Sequence, residues 1–525
     1  KGASGDPNAQ LPAVHTFQTV SAADAGGVSY AFGSYSLSVA AQPQVADGAD
    51  PALNDPPASF DRTRAYSLAN FNLENLYDDR DDPFDGCDFA GNAGCPGVSP
   101  PFDYVPASDA EYQTRLAAIA RQIVADLHGP DVVAVAEAED QDICTIESWQ
   151  LVCGTTNDAD GKPDTLEELT VRIHDLGGPD YTAANDRDGA DARGIVSGFL
   201  FRTDRVELIP AAAGDAVLGS SPAVQYRGTP LPYDRDVSNP KALNAVLPAD
   251  VDTSTGHDGS NVFTRAAQVA HLRVWRTAPG KSTFTDLWVA ANHFTSGPDT
   301  SVGQRREQAA YNAAIVGAIQ GEEPDAKVMV AGDLNVYPRP DDPFPPPNTS
   351  DQLAPLYDAG LADLYDAVLQ DDPAAAYSYD YQGQAQDLDH ELVTKALDDD
   401  LVTVNEAHIN ADWTAGASLA ENRGTSDHDP MVSRWSALPT VLSLEALVTW
   451  EQEQGAFRRS ATAKRLLAEL QAAQTLVARG KPRLAAAPVL LFVADLKTLG
   501  RLDVSPAART ALSAEGTLLA KTLAS

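Results

Sequence analysis

The feature that most constrains the fold is a short apolar run, residues 328–331, which ends in a glycine and two polar residues. Such a run is typical of a β-strand buried on both faces, and this requires a sheet covered by other layers. Gly332 ends the run, and Asp333 and Asn335 follow at alternate positions, so both side chains are expected on the same side of the strand end. A carboxylate and a carboxamide held there can orient water or a phosphate oxygen beside a metal ion, although both residues are also common in ordinary turns.

Other apolar segments end in the same way. Strands are predicted at residues 66–76, 131–139 and 283–292, and each ends in acids, amides or histidines. Because the strand ends of a layered sheet converge, we expect a site assembled from distant sequence positions. Its candidate members are Asn72, Glu137, His293, Asp333, Asn335, Asp389, Asp427 and His428.

The length of 525 residues exceeds what one hydrophobic core usually serves, so more than one unit is expected. Residues 1–61 are predicted to form a β-hairpin and a linker, and residues 62–437, where strands alternate with helices, the main domain. From residue 438 the composition shifts to Ala, Leu, Gln and Arg. Residues 438–525 are therefore predicted to be a small all-α module. Its four helices are predicted at residues 443–454, 460–479, 483–499 and 505–523.

The acidic composition limits the partners of the chain. The net charge of −38 and the pI near 4.4 argue against general electrostatic attraction to nucleic acid or anionic membranes. A polyanionic substrate would therefore need a cation or a local basic patch. No apolar run approaches the ~20 residues that a membrane span needs. The chain starts at Lys1 without an apolar signal region, so we interpret it as a mature secreted bacterial protein.

The four cysteines form two local pairs, Cys87 with Cys95 and Cys144 with Cys153. Two disulfides in an oxidising compartment are the favoured interpretation. Four free thiols or a zinc site are the alternatives, but the spacings are not CxxC and no histidine lies close by in the sequence.

Residues 156–167 resemble a twelve-residue calcium-binding loop with Gly161 at its sixth position. Thr156 stands at the first position, where an aspartate is usual, and this weakens the match. An acidic solvent-exposed loop without an ion is the alternative. The candidate Ca²⁺ ligands are Asp158, Asp160, Asp164 and Glu167.

Seven short segments, in order along the chain, resemble the motifs of the endonuclease/exonuclease/phosphatase superfamily, the fold family of deoxyribonuclease I. They are Phe-Asn-Leu at 71–73, the strand 131–139, Phe-Thr-Arg at 263–265, Asn-His-Phe at 292–294, Gly-Asp-Leu-Asn at 332–335, Leu-Asp-His at 388–390 and Ser-Asp-His-Asp-Pro at 426–430. Asn-Leu-Glu-Asn-Leu-Tyr-Asp at 72–78 looks most like large secreted bacterial nucleases. The chain departs from the family at Ala136, where Gln is usual, and at His390, where an aromatic residue is common.

The resemblance implies which residues bind the cation and the phosphate. Glu137 would be the main ligand of Mg²⁺ or Mn²⁺, with Asn72 and Asp427 beside it. Carboxylate oxygens suit a hard ion that also engages a substrate phosphate. Asn335 would bind a phosphate oxygen, and Arg265 would add a charge-assisted contact to the same phosphate.

The resemblance also assigns the proton chemistry. His293 and His428 would flank the scissile phosphate, and Asp333 would position the attacking water. Asp389 or Asp427 would orient His428 and raise its basicity, which an imidazole needs in order to take a proton near neutral pH. Considered alone, a histidine such as His293 after an apolar strand is more often a hydrogen-bonded core residue, and Asp427-His428 could be an ordinary turn.

The sequence therefore predicts a four-layer α/β sandwich of two packed mixed β-sheets, followed by the all-α module. The predicted function is a secreted metal-dependent phosphodiesterase that hydrolyses DNA, or RNA, by in-line attack of water on phosphorus. One alternative keeps the fold but acts on small phosphate esters or phospholipids, and the acidic charge favours it. A binding protein without catalytic activity is the other alternative.

Overall fold

The computed structural model describes the chain in segments. These are residues 56–79, 108–139, 144–147, 150–153, 165–185, 195–210, 217–218, 237–238, 267–298, 301–339, 351–381, 383–413, 419–500 and 502–525, with residues 14, 16, 18–21, 26–31, 34–39, 43–46, 106, 263 and 265. Cys87, Cys95, Asp158, Asp160 and Asp164 lie outside the described residues, so the predictions made for them remain predictions.

Among the described residues, strands and helices alternate between residues 65 and 436, with four short strands before this region and four helices after it. The strands are β1 (Thr19–Ser21), β2 (Gly26–Ala31), β3 (Ser34–Val39), β4 (Gln44–Ala46), β5 (Ala65–Leu76), β6 (Val132–Glu139), β7 (Cys144–Glu147), β8 (Gln150–Cys153), β9 (Tyr181–Ala184), β10 (Ile195–Arg202), β11 (Val206–Leu208), β12 (Val237–Ser238), β13 (Gln268–Trp275), β14 (Phe284–His293), β15 (Val328–Asp333), β16 (Ala362–Asp363), β17 (Tyr379–Tyr381), β18 (Gln384–Gln386), β19 (Asp389–Val393), β20 (Leu401–Glu406) and β21 (Met431–Ser436). The helices are α1 (Asp109–Arg121), α2 (Thr165–Asp175), α3 (Val302–Glu322), α4 (Ala354–Asp358), α5 (Tyr365–Asp371), α6 (Lys395–Asp398), α7 (Val441–Glu453), α8 (Ser460–Ala478), α9 (Pro482–Thr498) and α10 (Pro506–Ala524).

Two mixed β-sheets form the centre of the main domain. Among the described strands, one sheet has the order β20-β21-β5-β6-β10-β9 and the other β11-β13-β14-β15-β19-β16, with β12 paired to β13. Each sheet contains one parallel pair, β5 with β6 and β14 with β15, while its other pairs are antiparallel. The two parallel pairs end in the polar residues that the sequence singled out.

Apolar side chains hold the layers together. Between the sheets, Leu68 and Val132 of one sheet share a core with Val289 and Met329 of the other. On the outer faces, α1 and α2 cover the first sheet and α3 covers the second. The run at 328–331 is fully buried, as its composition predicts. Helix, sheet, sheet and helix form four layers, and the predicted fold class is confirmed.

The C-terminal helices pack against the main domain. Helices α7 to α10 begin and end within two residues of their predicted bounds. Their apolar core includes Trp275 and Phe284, which lie where β13 ends and β14 begins. Arg276 donates from Nε to Glu515 Oε2 of α10 at 2.9 Å, and Glu515 is fully buried. This contact lies at the opposite end of β14 from His293.

Strands β2 and β3 pair as the predicted N-terminal hairpin, with Tyr30 opposite Tyr35. The two tyrosine rings lie 4.8 Å apart and are exposed. Within the described ranges, none of the helices combines the length and the apolar composition needed to cross a bilayer.

Candidate active site

The ends of three neighbouring strands place acidic and imidazole groups in one row. His293 ends β14, and its Cα is the register partner of Asp333, which ends β15. Asp333 is in turn the register partner of Asp389, the first residue of β19. The parallel pairing of β14 with β15 thus brings together residues that are 40 positions apart in the chain, as predicted for strand ends.

The other sheet contributes Asn72 and Glu137 to the same place. The amide nitrogen of Asn72 lies 3.3 Å from Glu137 Oε1 and 3.2 Å from Asp333 Oδ2. Glu137 Oε1 lies 3.3 Å from His293 Nε2. Because these contacts cross from one sheet to the other, the site lies where the ends of the two sheets meet.

Glu137, His293 and Asp333 could hold a metal ion. Each offers one ligand atom, and these atoms lie within 4.8 Å of one another. The two carboxylates suit Mg²⁺ or Mn²⁺, whereas the imidazole is a ligand that suits transition-metal ions such as Zn²⁺ better than Mg²⁺. In the described part of the chain, the salt-bridge partners of Glu137 and Asp333 are histidines, with no lysine or arginine among them. The negative charge of this group is therefore suited to a bound cation.

His428 is held between two carboxylates. Its Nδ1 lies 2.6 Å from Asp389 Oδ2, and its Nε2 lies 3.7 Å from Asp333 Oδ2. Asp389 is fully buried and also accepts a 2.7 Å hydrogen bond from Ser378 Oγ. The sequence left open whether Asp389 or Asp427 orients His428. Asp389 occupies that position in the structure, whereas Asp427 Oδ1 is 3.8 Å from Nε2.

Burial and neighbouring charges shift the pKa values of this group. The pKa of Asp333 is raised to about 7. Desolvation is the largest cause and the nearby Asp389 and Glu137 add to it, whereas His428 acts to lower this pKa. Burial alone would lower the pKa of His428, but Asp389, Asp333 and Asp427 raise it well above its ordinary value. Desolvation also raises the pKa of Glu74 to about 7, with Asp427 adding to the effect. Such shifts are typical of functional sites.

An unusual backbone presents Glu137 to the site. Glu137 has a φ of 60°, and Glu74 and Asn75 on the neighbouring strand have φ values of 49° and 51°. The register between β5 and β6 shifts between Asn72 and Leu76, as in a β-bulge. This bulge directs the backbone N–H of Asn75 to Glu137 Oε2 at 2.8 Å.

Arg265 and Asn335 converge on one carbonyl group. Arg265 Nη2 donates to Phe294 O at 3.2 Å, and Asn335 Nδ2 donates to the same oxygen at 3.4 Å. Asn335 has a φ of 50°, and its backbone N–H donates to Asp333 Oδ1. Both predicted phosphate-binding residues therefore border the segment that follows His293.

Asn72 and Asp427 differ in how they face the predicted cation. The oxygen of the Asn72 amide accepts from the backbone N–H of Glu74, so the amide presents its nitrogen to Glu137 and Asp333. A ligand role for Asn72 requires rotation of this amide. The side chain of Asp427 is 42% exposed and borders the open side of His428.

Four further residues of the site escaped the sequence analysis: Arg115, Ser378, Tyr379 and Ser426. The ring of Tyr379 lies 4.7 Å from the ring of His428. Ser426 donates to the backbone oxygen of Asn72 at 2.7 Å and accepts from the backbone N–H of His428. Within the motif Ser-Asp-His at 426–428, roles were predicted only for the aspartate and the histidine. Nothing in the sequence marks the other three.

Three other features singled out in the sequence can be located. Cys144 and Cys153 are register partners in the hairpin formed by β7 and β8. Glu167, the last candidate calcium ligand, lies in the first turn of α2 and is buried. His390, which replaces an aromatic residue of the family pattern, is fully buried between Asp363 Oδ2 and the backbone oxygen of Val336.

No family model and no curated protein matches the chain. Similar solved structures include truncated Caenorhabditis elegans TDP2 (14% identity, 71% of this chain and 98% of that chain, TM-score 0.35). An endonuclease/exonuclease/phosphatase family protein from Bacteroides thetaiotaomicron has 16% identity, the same two coverages and a TM-score of 0.37. D. rerio TDP2 complexed with a single-strand DNA product has 14% identity, covers 70% of this chain and 98% of that chain, and has a TM-score of 0.33. The Bacteroides protein belongs to the superfamily that the sequence motifs resemble. The function of this chain has to be inferred from the geometry of its own site.

Proposed function

We propose that the chain is a divalent-cation-dependent phosphodiesterase that hydrolyses DNA. One observation carries the proposal. Asp333 Oδ2 lies 3.6 Å from His293 Nε2 and 3.7 Å from His428 Nε2, and Asp389 Oδ2 lies 2.6 Å from Nδ1 of His428. A candidate cation site and a proton-transfer pair thus share one carboxylate.

Glu137 and Asp333, with His293, would hold Mg²⁺ or Mn²⁺. When bound, the cation would stabilise negative charge on the phosphate. Its positive charge would also offset the negative charge of the carboxylates beside His428 and so lower the pKa of that imidazole. Asp389 fixes the orientation of His428, so that Nε2 faces the space beside Asp333. Asp333 would orient the attacking water, and Nε2 would take its proton as the new P–O bond forms. The bond to the leaving alkoxide breaks in the same step, and that oxygen gains a proton from water. The hydroxide that this leaves takes the proton from His428 Nε2, which restores the neutral imidazole.

DNA is our proposed substrate because the motifs are similar to those of secreted nucleases. The net charge of −38 favours a different substrate, a small phosphate ester that escapes the repulsion a polyanion would meet. The proposal also includes secretion of the protein, a structural Ca²⁺ ion bound in the loop at 156–167, and the disulfide Cys87–Cys95.

An assay of supercoiled plasmid with EDTA and metal add-back tests the proposal. The protein, freed of metal and kept in EDTA, should leave the plasmid intact, and Mg²⁺ or Mn²⁺ should restore nicking or digestion. A parallel assay with bis(4-nitrophenyl) phosphate and 4-nitrophenyl phosphate measures preference among small esters. Faster turnover of either small ester than of DNA phosphodiester bonds would assign the substrate to the alternative class. Full DNA hydrolysis in EDTA would contradict the cation requirement.

A further inference from the structure

The loop that follows Asn72 is fastened by a single arginine of α1. Arg115 donates from Nη2 to the backbone oxygens of Leu73 and Glu74 at 2.7 and 2.6 Å, and from Nη1 to that of Asn75 at 3.2 Å. Nη2 and Nε also reach the backbone oxygen of Thr425, at 3.0 and 3.2 Å. Its side chain is only 17% exposed. One guanidinium thus contacts four backbone carbonyl oxygens.

We infer that Arg115 is a positioning residue that sets the cation affinity of Glu137 and the placement of His428. This inference rests on the proposed function. Arg115 itself does not reach the reacting groups; it acts through the backbone of residues 73–75 and of Thr425.

The first of its two effects passes through Asn75. Glu74 and Asn75 both adopt left-handed φ values, which cost about 1 kcal/mol or more each for residues other than glycine. Such a conformation persists only where its surroundings fix it, and Arg115 binds the carbonyl oxygens on this stretch. The fixed bulge directs the Asn75 N–H to Glu137 Oε2, and Oε1 is left facing His293.

The second effect passes through Thr425. This residue begins the turn that carries Ser426, Asp427 and His428. By binding Thr425 O together with the bulge, Arg115 joins the two loops that border the site. Ser426 forms a second link between the same loops through its hydrogen bond to Asn72 O.

Only an arginine suits this position. Its planar guanidinium presents donors in a fixed fork, whereas a lysine is a point charge with three donors on one atom. Arg115→Lys therefore keeps the charge but cannot reach all four oxygens at once. The positive charge near Glu74 is retained in that variant. A change in Mn²⁺ affinity or kcat therefore results from the loss of hydrogen bonds to the four carbonyl oxygens.

The experiment compares Arg115→Lys with Arg121→Lys. Arg121 lies on the same helix, is exposed, and donates to the side chain of Asn422. Mn²⁺ binding is measured by calorimetry on metal-free protein, with kcat and KM on DNA at saturating Mn²⁺ and the unfolding temperature without metal. We expect Arg115→Lys to weaken Mn²⁺ binding by about tenfold or more. Losses of this size are typical of metalloproteins in which a hydrogen-bond partner of a metal ligand is removed. We also expect kcat to fall while KM changes little. Arg121→Lys should match the wild type.

Three results overturn the inference or its premise. Unchanged Mn²⁺ affinity and kcat in folded Arg115→Lys would show that the arginine is only structural. A lower unfolding temperature with unchanged Mn²⁺ affinity would show the same. A wild type that binds no Mn²⁺ in calorimetry would instead remove the proposed function on which the inference rests. If Arg115→Lys does not fold, Arg115→Gln, which keeps two N–H donors without the charge, is measured in the same way, and unchanged Mn²⁺ affinity and kcat in that variant would overturn the inference.

Discussion

Nδ1 of His428 lies 2.6 Å from Oδ2 of Asp389, a residue that is 39 positions earlier in the chain and fully buried. The pair places the imidazole so that its other nitrogen faces Asp333. A buried carboxylate behind a catalytic histidine fixes both the tautomer and the orientation of the ring.

Replacing Asp389 with asparagine should therefore impair catalysis more than folding. An amide in place of the carboxylate removes the charge that raises the pKa of His428 and allows the wrong tautomer. We expect Asp389→Asn to lower kcat for DNA hydrolysis by about 100-fold or more. Steady-state rates at saturating Mg²⁺ measure this effect, and circular dichroism checks the fold.

Asp180→Asn provides the matched control for that experiment. Asp180 pairs with His174 Nδ1 at 2.9 Å, but the two side chains are 46% and 35% exposed. This variant should retain full activity. If Asp389→Asn is as active as Asp180→Asn, His428 does not depend on its buried partner.

Gly332 should not tolerate any side chain. It has a φ of 145°, and a Cβ added there would lie 1.9 Å from the backbone oxygen of Asn292 on the adjacent strand β14. The backbones of the two strands would have to separate, next to His293 and Asp333. We expect Gly332→Ala to lower the free energy of unfolding by about 3 kcal/mol or more, measured by urea denaturation.

Gly317→Ala is the control for Gly332→Ala. Gly317 lies in α3, and an added Cβ there meets nothing within 4 Å. Alanine favours the helix, so this variant should be more stable than the wild type by about 0.5–1 kcal/mol. Equal stability of the two variants would contradict the close approach of β14 and β15.

Glu391 should make stability depend on pH. It is fully buried on β19, and desolvation raises its pKa from 4.5 to about 8. The folded state therefore binds a proton more tightly than the unfolded state. This contribution to stability is complete below pH 4.5 and is lost as the pH rises towards 8, by about 1.4 kcal/mol per pH unit.

Glu391→Gln removes this titration. Urea denaturation of both proteins at several pH values between 4.5 and 8 isolates the contribution of Glu391 as a difference. The difference in unfolding free energy should change across this range in favour of the variant as the pH rises. A constant difference would show that Glu391 is not protonated in the folded state.

A disulfide is expected between Cys144 and Cys153. Their backbones are directly opposite in the antiparallel hairpin of β7 and β8, within reach of the short Cα separation that the bond requires. Mass spectrometry of an unreduced digest should find the two peptides linked. Linkage of Cys144 or Cys153 to Cys87 or Cys95, or alkylation of both Cys144 and Cys153, would contradict this pairing.

The sequence predicted the strand ends of the site well because buried strands and their polar ends leave a local pattern. The strands that contain the apolar run at 328–331 and the alternating residues before His293 were predicted from composition and spacing alone. The helices of the C-terminal module were equally predictable, since glycine and proline separate them. The alignment of β14, β15 and β19 places His293, Asp333 and Asp389 in one row. This alignment depends on pairing between strands that are distant in the sequence, so no local pattern predicts it.

The supporting contacts could not be predicted for the same physical reason. Arg115 binds backbone oxygens, and a backbone acceptor has no sequence identity that a motif could reveal. The left-handed backbone at Glu74 and Glu137 involves glutamates, which rarely adopt it. The choice between Asp389 and Asp427 as the partner of His428 required the packing of β19 against the turn at 425–428.

The most direct test of the central claim is DNA hydrolysis by Glu137→Gln and His428→Gln at saturating Mg²⁺. Both substitutions remove a charge or a proton carrier while nearly preserving side-chain volume, and folding is verified by circular dichroism. If one site binds the cation and transfers the proton, each variant should lose at least about 100-fold in kcat/KM. Activity of either folded variant within about threefold of wild type, an effect of less than about 1 kcal/mol, would contradict the account.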